Sequence, residues 1–216
     1  MRIAVLGTGM VGTTIGTRLA GLGHDVTMGS RSAGNEAAAE WARSVGGSVA
    51  HGTFADAADA GELVFNCTSG AASLDALGAA GAERLAGKVL VDVSNPLDFS
   101  GGMPPTLFVF GDDSLGERIQ RAFPDARVVK SLHTVNCNVM VDPARVPGSH
   151  DVFVAGDDED AKDQVRELLQ AFGWPLASIV DLGDITAARG TEAYVLLWVR
   201  LMGTLGTADF NIATVV

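Results

Sequence analysis

Cysteine is scarce in this chain of 216 residues, and the two present, Cys67 and Cys137, stand in no C-x-x-C spacing. That argues against a disulfide framework or a dithiol redox motif and makes both ordinary thiols. Tyrosine occurs once, at Tyr194, with Trp198 four positions later, so the Tyr-x-x-x-Lys acid of short-chain dehydrogenases is missing. No G-x-x-x-x-G-K-[ST] loop occurs, which removes P-loop nucleotide hydrolysis. His24, His51 and His150 show no zinc-ligand spacing, and no metal is expected. Although 47% of residues are hydrophobic, no run of about 18 uncharged apolar residues appears, and no membrane span is expected. Positive charge is short as well: 15 Lys and Arg stand against 26 Asp and Glu, a formal net charge of -11. A nucleic-acid partner needs clustered cations and is disfavoured. The chain enters strand residues directly, without the basic region, apolar run and cleavage site of a secretory signal, so a cytoplasmic location is expected.

What the chain has is a dense opening, MRIAVLGTGMVGTTIGTRLAGLGHDVTMGSRS. Arg2 to Leu6 reads as a strand buried on both faces of a parallel sheet. Gly7, Gly9 and Gly12 follow in G-x-G-x-x-G spacing, which permits a tight turn, close approach of backbone to a pyrophosphate, and close packing of helix on strand. The helix from Met10 to about Leu22, with Thr8, Met10 and Val11 in the turn and first positions, directs free amides at the phosphates. His24 to Gly29 is a second strand. Where an NAD site usually carries an acid for the ribose hydroxyls, Ser30 and Arg31 stand here, and arginine can hold a 2′-phosphate by a charge-assisted fork. In so acidic a protein, bound phosphate must be met by just such local positive charge. The reading is a dinucleotide site for NADP(H).

Downstream, strands are predicted at 48–51, 62–67, 88–93 and 127–132, and helices at 35–44, 54–60, 71–85 and 114–123. This alternation implies an α/β, Rossmann-type doubly wound parallel sheet. Residues 1–150 are read as its NADP-binding domain. Residues 151–216, with strands at 151–155 and 178–182 and a helix at 157–172, are a small helical and strand extension that completes the acceptor crevice. The acids Asp157, Asp158, Glu159 and Asp160 are explained by capping and the helix dipole, not by a metal. The segment 191–205 is a nearly all-apolar helix that must be buried in its own subunit or against a second copy; a homodimer interface is the preferred reading. Arg200 within it then needs a carboxylate or an exit to solvent.

In such a sheet the ligand crosses the carboxyl ends of the strands. The crevice is therefore expected between Gly7–Gly12, Thr68–Gly70, Ser94–Pro96 and His133–Thr134. Thr68, Ser69 and Gly70 offer hydroxyls and amides to the nicotinamide ribose, or simply cap a helix. Asn95 and Pro96 border the same space. His133 is the catalytic candidate, an imidazole able to donate a proton or polarise an acceptor near neutral pH, or else a histidine held for structure. Thr134 could orient its ring.

Four segments together resemble the family of F420-dependent NADP oxidoreductases, which is also similar to the cytosolic domain of ferric reductases that reduce flavin with NADPH. They are the opening 32 residues, VVKSLHT at 128–134, VAGDDEDAK at 154–162 and DLGDITAAR at 181–189. The resemblance implies a compact Rossmann domain, a homodimer, and hydride exchange between NADPH and a deazaflavin stacked on the nicotinamide. It puts Thr8, Ser30 and Arg31 at NADP contacts, and His133 and Val135 beside the second cofactor, F420 or a flavin. The chain departs from the family's archaeal members at Thr68, Ser69 and Gly70, where those have an apolar residue followed by Pro-Trp, and at Asn136, where they tend to have proline. An NADPH reductase of a small imine, carbonyl or enone, and a non-catalytic NADP-sensing module, are the alternatives. The small part after residue 150 favours a planar acceptor over an enclosed small substrate.

Overall fold

The computed structural model describes residues 1–215. Strand β1 (Arg2–Leu6) sends Ile3 and Val5 into one apolar core and Ala4 and Leu6 into another, on opposite faces of the sheet. It is followed by α1 (Met10–Gly21), β2 (Asp25–Ser30), α2 (Glu36–Val45) and β3 (Val49–Thr53). Helix α3 (Phe54–Ala60) starts in a reciprocal capping box between Thr53 and Asp56. After β4 (Leu63–Asn66), the helix expected over 71–85 is two, α4 (Gly70–Ala80) and α5 (Ala82–Leu85). Gly81 between them takes φ +97°, a left-handed conformation that a helix interior cannot accommodate.

Strand β5 (Val89–Asp92) leads into an unexpected hairpin, β6 (Leu97–Asp98) paired with β7 (Thr106–Leu107). Strands of two residues carry no readable alternation. Helix α6 (Leu115–Ala122) and strand β8 (Arg127–Ser131) fall where expected. A short α7 (Cys137–Val141) begins at Asn136, whose side chain accepts from the Asn138 amide at 2.9 Å. The chain closes with β9 (Val152–Ala155), α8 (Glu159–Phe172), β10 (Ile179–Asp181) and α9 (Ala188–Leu205). Asp158 caps α8 by accepting from the Ala161 amide at 2.8 Å, with Glu159 and Asp160 in its first turn, so the acidic run is a helix start.

The eight-stranded sheet has the order β10-β9-β8-β5-β4-β1-β2-β3. From β3 to β8 the strands are parallel, the doubly wound arrangement expected. β9 runs antiparallel to β8, because residues 132–151 stay at the edge where β8 ends instead of crossing back; β10 then pairs parallel with β9. The C-terminal part therefore extends the same sheet.

Helix α9 is fastened at its first turns. Glu192 accepts from the Leu115 and Gly116 amides at 2.8 and 2.9 Å, satisfying the start of α6, and Arg189 grips Glu117. Of its residues only Ala188, Thr191, Glu192 and Val195 are buried, while Leu197 and Leu205 are each 54% exposed. The helix is thus only partly covered by its own chain, with Trp198 stacked on Phe210, and Arg200 reaches solvent.

Candidate active site

The glycine loop after β1 is built by contacts that leave no room for a side chain at Gly7 or Gly12. Gly7 takes φ +118°, and a Cβ on it would lie 2.7 Å from the Cys67 carbonyl oxygen; one on Gly12 would lie 2.0 Å from the Gly7 oxygen. A Cβ on Gly9 would instead meet nothing within 4 Å. The first and third glycines are thus required by the protein itself, and the second opens onto free space. Gly9 also begins α1 with no side-chain cap and no acid in the first turn, so the helix offers uncompensated amides there.

That loop borders a cavity of about 610 Å³ with Gly7, Thr8, Gly9, Ser30, Arg31 and Asn35 in its walls. Arg31 is exposed and pairs with no carboxylate among the described residues; Asp75 of α4 is the acid in the same walls. Ser30 is buried and donates its hydroxyl proton to the Ser32 carbonyl at 2.7 Å, bracing the turn that presents Arg31. A second cavity, about 660 Å³, is bordered by Val11, Gly70, Asn95, Leu97, Phe99 and Phe108. Cys67, Thr68 and Ser69 belong to both, so the two form one trough along the carboxyl ends of the strands. Burial pushes the Cys67 thiol up, with the charge of Asp92 adding to it.

Three of the four expected segments meet in this trough. Among their residues Met10, Gly12 and Pro96 lie beside it without entering its walls. The fourth does not reach it: His133, Thr134 and Val135 are 4%, 2% and 5% exposed and border neither cavity. The strand end carrying His133 bends under its neighbours, with Leu132 at φ +66°, and the His133 carbonyl accepts from the Asn95 side chain at 2.8 Å. Burial lowers the imidazole pKa well below its ordinary value, and the charge of Lys130 acts the same way. A buried neutral imidazole is a poor acid at neutral pH, and the expectation of a crevice-facing proton donor is corrected on that ground.

A pH prediction follows. With its folded pKa depressed, His133 binds a proton more readily in the unfolded chain, so its stabilisation is present above about pH 6.5 and is lost as pH falls below it. In urea titrations at pH 7.0 and 5.5, His133→Gln is expected to lose less stability on acidification than wild type. The slope removed is up to about 1.4 kcal/mol per pH unit.

Beneath the trough lies a network that pattern reading missed. The Lys130 ammonium contacts Asp92 Oδ2 at 2.7 Å, the Ser94 carbonyl at 2.6 Å and Glu192 Oε1 at 2.8 Å, with Lys130 and Asp92 side chains fully buried. Asp92 Oδ1 accepts from Asn66 Nδ2 at 2.8 Å and from the Ser94 hydroxyl at 2.7 Å. The available signal was a polar residue closing each of two otherwise apolar strands, Asn66 and Asp92, and a lysine, Lys130, just after the apolar pair of β8. Also missed were the hairpin aromatics Phe99 and Phe108, and Arg118, which borders the second cavity and is held by Asp113 at 2.8 Å. Partial burial alone would raise the Asp113 carboxyl, but the guanidinium groups of Arg118 and Arg121 hold it down at about 2.

Comparison with known proteins fits this geometry. A family described as NADP oxidoreductase, coenzyme F420-dependent, matches residues 2–96. The chain is 31% identical over 210 residues to the F420-dependent NADP reductase of Methanothermobacter marburgensis, covering 93% of this chain and 92% of that protein. It is 30% identical over 198 residues to the rat metalloreductase STEAP3, covering 90% of this chain but spanning only 36% of that protein. Among solved structures, a protein from Arthrobacter sp. FB24, provisionally assigned as an F420-dependent NADP reductase, shares 52% identity over 99% of both chains with a TM-score of 0.93. A reductive aminase from Aspergillus terreus shares the fold alone, at 22% identity and TM-score 0.67 over 95% of this chain and 62% of that one.

Proposed function

We propose, from the premise that this chain belongs to the family of coenzyme F420-dependent NADP oxidoreductases, that it exchanges a hydride between NADP(H) and a planar acceptor, a deazaflavin of the F420 type or a flavin. The observation that carries this reading is the single trough: a phosphate loop and a free arginine at one end, an aromatic-bordered cavity at the other. Arg31 and the α1 amides hold the adenosine 2′-phosphate and the pyrophosphate. Thr68, Ser69 and Asn95 line the nicotinamide half. When bound, the nicotinamide would supply or receive the hydride, with Val11, Leu97 and Phe108 as the apolar walls beside it.

The small-imine alternative needs a proton donor in the walls, and the residue expected to serve is buried and neutral. Mixing the protein with NADPH and F420 and following the deazaflavin absorbance tests the reading; FMN in place of F420 separates the two acceptors. Bleaching with either supports it. No change with both, beside a working control reductase, overturns it.

The outward face of α9, with exposed Leu197 and Leu205 and half-buried Leu201 between them, is proposed as the surface joining two copies. Sedimentation is expected to give a dimer, and Leu197→Glu to shift it to monomer without loss of fold by circular dichroism. A monomeric wild type would exclude this interface.

A further inference from the structure

We propose that the buried chain Lys130–Asp92–Asn66 fixes the Thr68 hydroxyl as a hydrogen-bond acceptor toward the trough, so that Thr68, with Asn95, selects a cofactor group that donates. This rests on the reading that the second cavity holds the nicotinamide half of NADP(H).

The polarity can be followed bond by bond. Lys130 can only donate, and its three protons have three acceptors, in Asp92, Ser94 and Glu192. Asp92, ionised beside it, can only accept. Asn66 must therefore turn its amide nitrogen toward Asp92 Oδ1, at 2.8 Å, and spends its other proton on Ser73 Oγ at 3.1 Å. This leaves Asn66 Oδ1 facing Thr68, where it accepts from the hydroxyl at 2.6 Å and from the amide at 3.3 Å. The one proton of Thr68 is thereby committed inward, and Ser73, whose hydroxyl lies 3.0 Å from that of Thr68, can send its own proton to one Thr68 lone pair or to the Ser69 carbonyl at 3.2 Å. What Thr68 has left, at the junction of the two cavities, is a lone pair.

Asn95 arrives at the same polarity independently. Its nitrogen donates to the His133 carbonyl at 2.8 Å, so its oxygen is on the other side of the amide, buried and without a partner among the described residues. A buried carbonyl left unpaired is costly, and a residue bordering a cavity can be relieved by a ligand donor. The nicotinamide half carries two kinds of donor, the carboxamide N–H groups and the ribose hydroxyls. A carbonyl or ether oxygen placed here would face oxygen.

The test measures affinity by fluorescence titration for NADP⁺, for its 3-acetylpyridine analogue, which lacks the carboxamide donor, and for 2′,5′-ADP, which lacks the nicotinamide half. Thr68→Val is expected to weaken NADP⁺ on the order of 10-fold and to leave 2′,5′-ADP unchanged, with Thr68→Ser restoring most of the loss. If the carboxamide is the donor, Thr68→Val has little effect on the acetylpyridine analogue; if a ribose hydroxyl, the loss is the same as for NADP⁺. Asp92→Asn, which lets Asn66 turn over, is expected to weaken NADP⁺ in wild type but not further in the Thr68→Val background. A merely structural role for Asp92 would give additive losses and overturn the proposal. Unchanged NADP⁺ affinity in Thr68→Val would overturn it too. Wild-type protein binding NADP⁺ no more tightly than 2′,5′-ADP would instead overturn the cavity assignment beneath it.

Discussion

Replacing Lys130 with methionine is expected to cost about 3–5 kcal/mol of stability, because it strands two buried carboxylates. Asp92 and Glu192 each lie within 2.8 Å of the ammonium, and their side chains are 0% and 3% exposed. Neither has water to fall back on. In a chain of this length that loss corresponds to a drop of roughly 6–20 °C in Tm. Added salt should not restore it, since screening acts weakly on charges out of solvent. The three residues lie on β5, β8 and α9, so the fastening of the C-terminal helix to the sheet should weaken together with the global fold. Thermal and urea denaturation of the variant measure this; a loss below about 1 kcal/mol would mean that the carboxylates find other partners.

The second large effect is on cofactor choice. Arg31→Ala removes a charge-assisted fork worth on the order of 1.5–3 kcal/mol and should weaken NADPH by roughly 10- to 100-fold. Arg31→Glu adds repulsion of about 1 kcal/mol or more against the 2′-phosphate, bringing the loss to the order of 100- to 1000-fold. NADH, which has no phosphate there, should be little affected by the alanine change. Position 31 is the one to change because it is exposed, whereas an acid at buried Ser30 would face the Ser32 and Gly52 carbonyls that the hydroxyl now serves. Titration of each variant with NADPH and NADH settles it: wild-type protein binding both equally would leave only a generic dinucleotide site.

How far each part was legible depends on the range of the interaction that creates it. The apolar run Ile3 to Leu6, the glycine spacing after it, and Ser30-Arg31 at the end of β2 are local signals, and the parallel sheet and the glycine-and-arginine end of the trough follow from them. The acidic start of α8 was legible for the same reason, since capping acts within one turn. Other features depend on contacts far apart in the chain. The reversal of β9, the two-residue strands of the hairpin, and the meeting of Lys130 with Asp92 and Glu192 have no local pattern.

His133 shows the limit most sharply. Its position after a core strand predicted a place in the crevice, yet whether a strand-end residue faces the ligand or the interior is decided by what packs over it. Sequence alone determined a glycine turn of dinucleotide-binding spacing after the first strand and an arginine at the end of the second, because turn geometry and the placing of a charge at a strand end are matters of neighbouring residues. Only the tertiary structure decided the polarity of the hydrogen bonds beneath the trough, because each one in that chain, from Lys130 to Thr68, is oriented by the one before it.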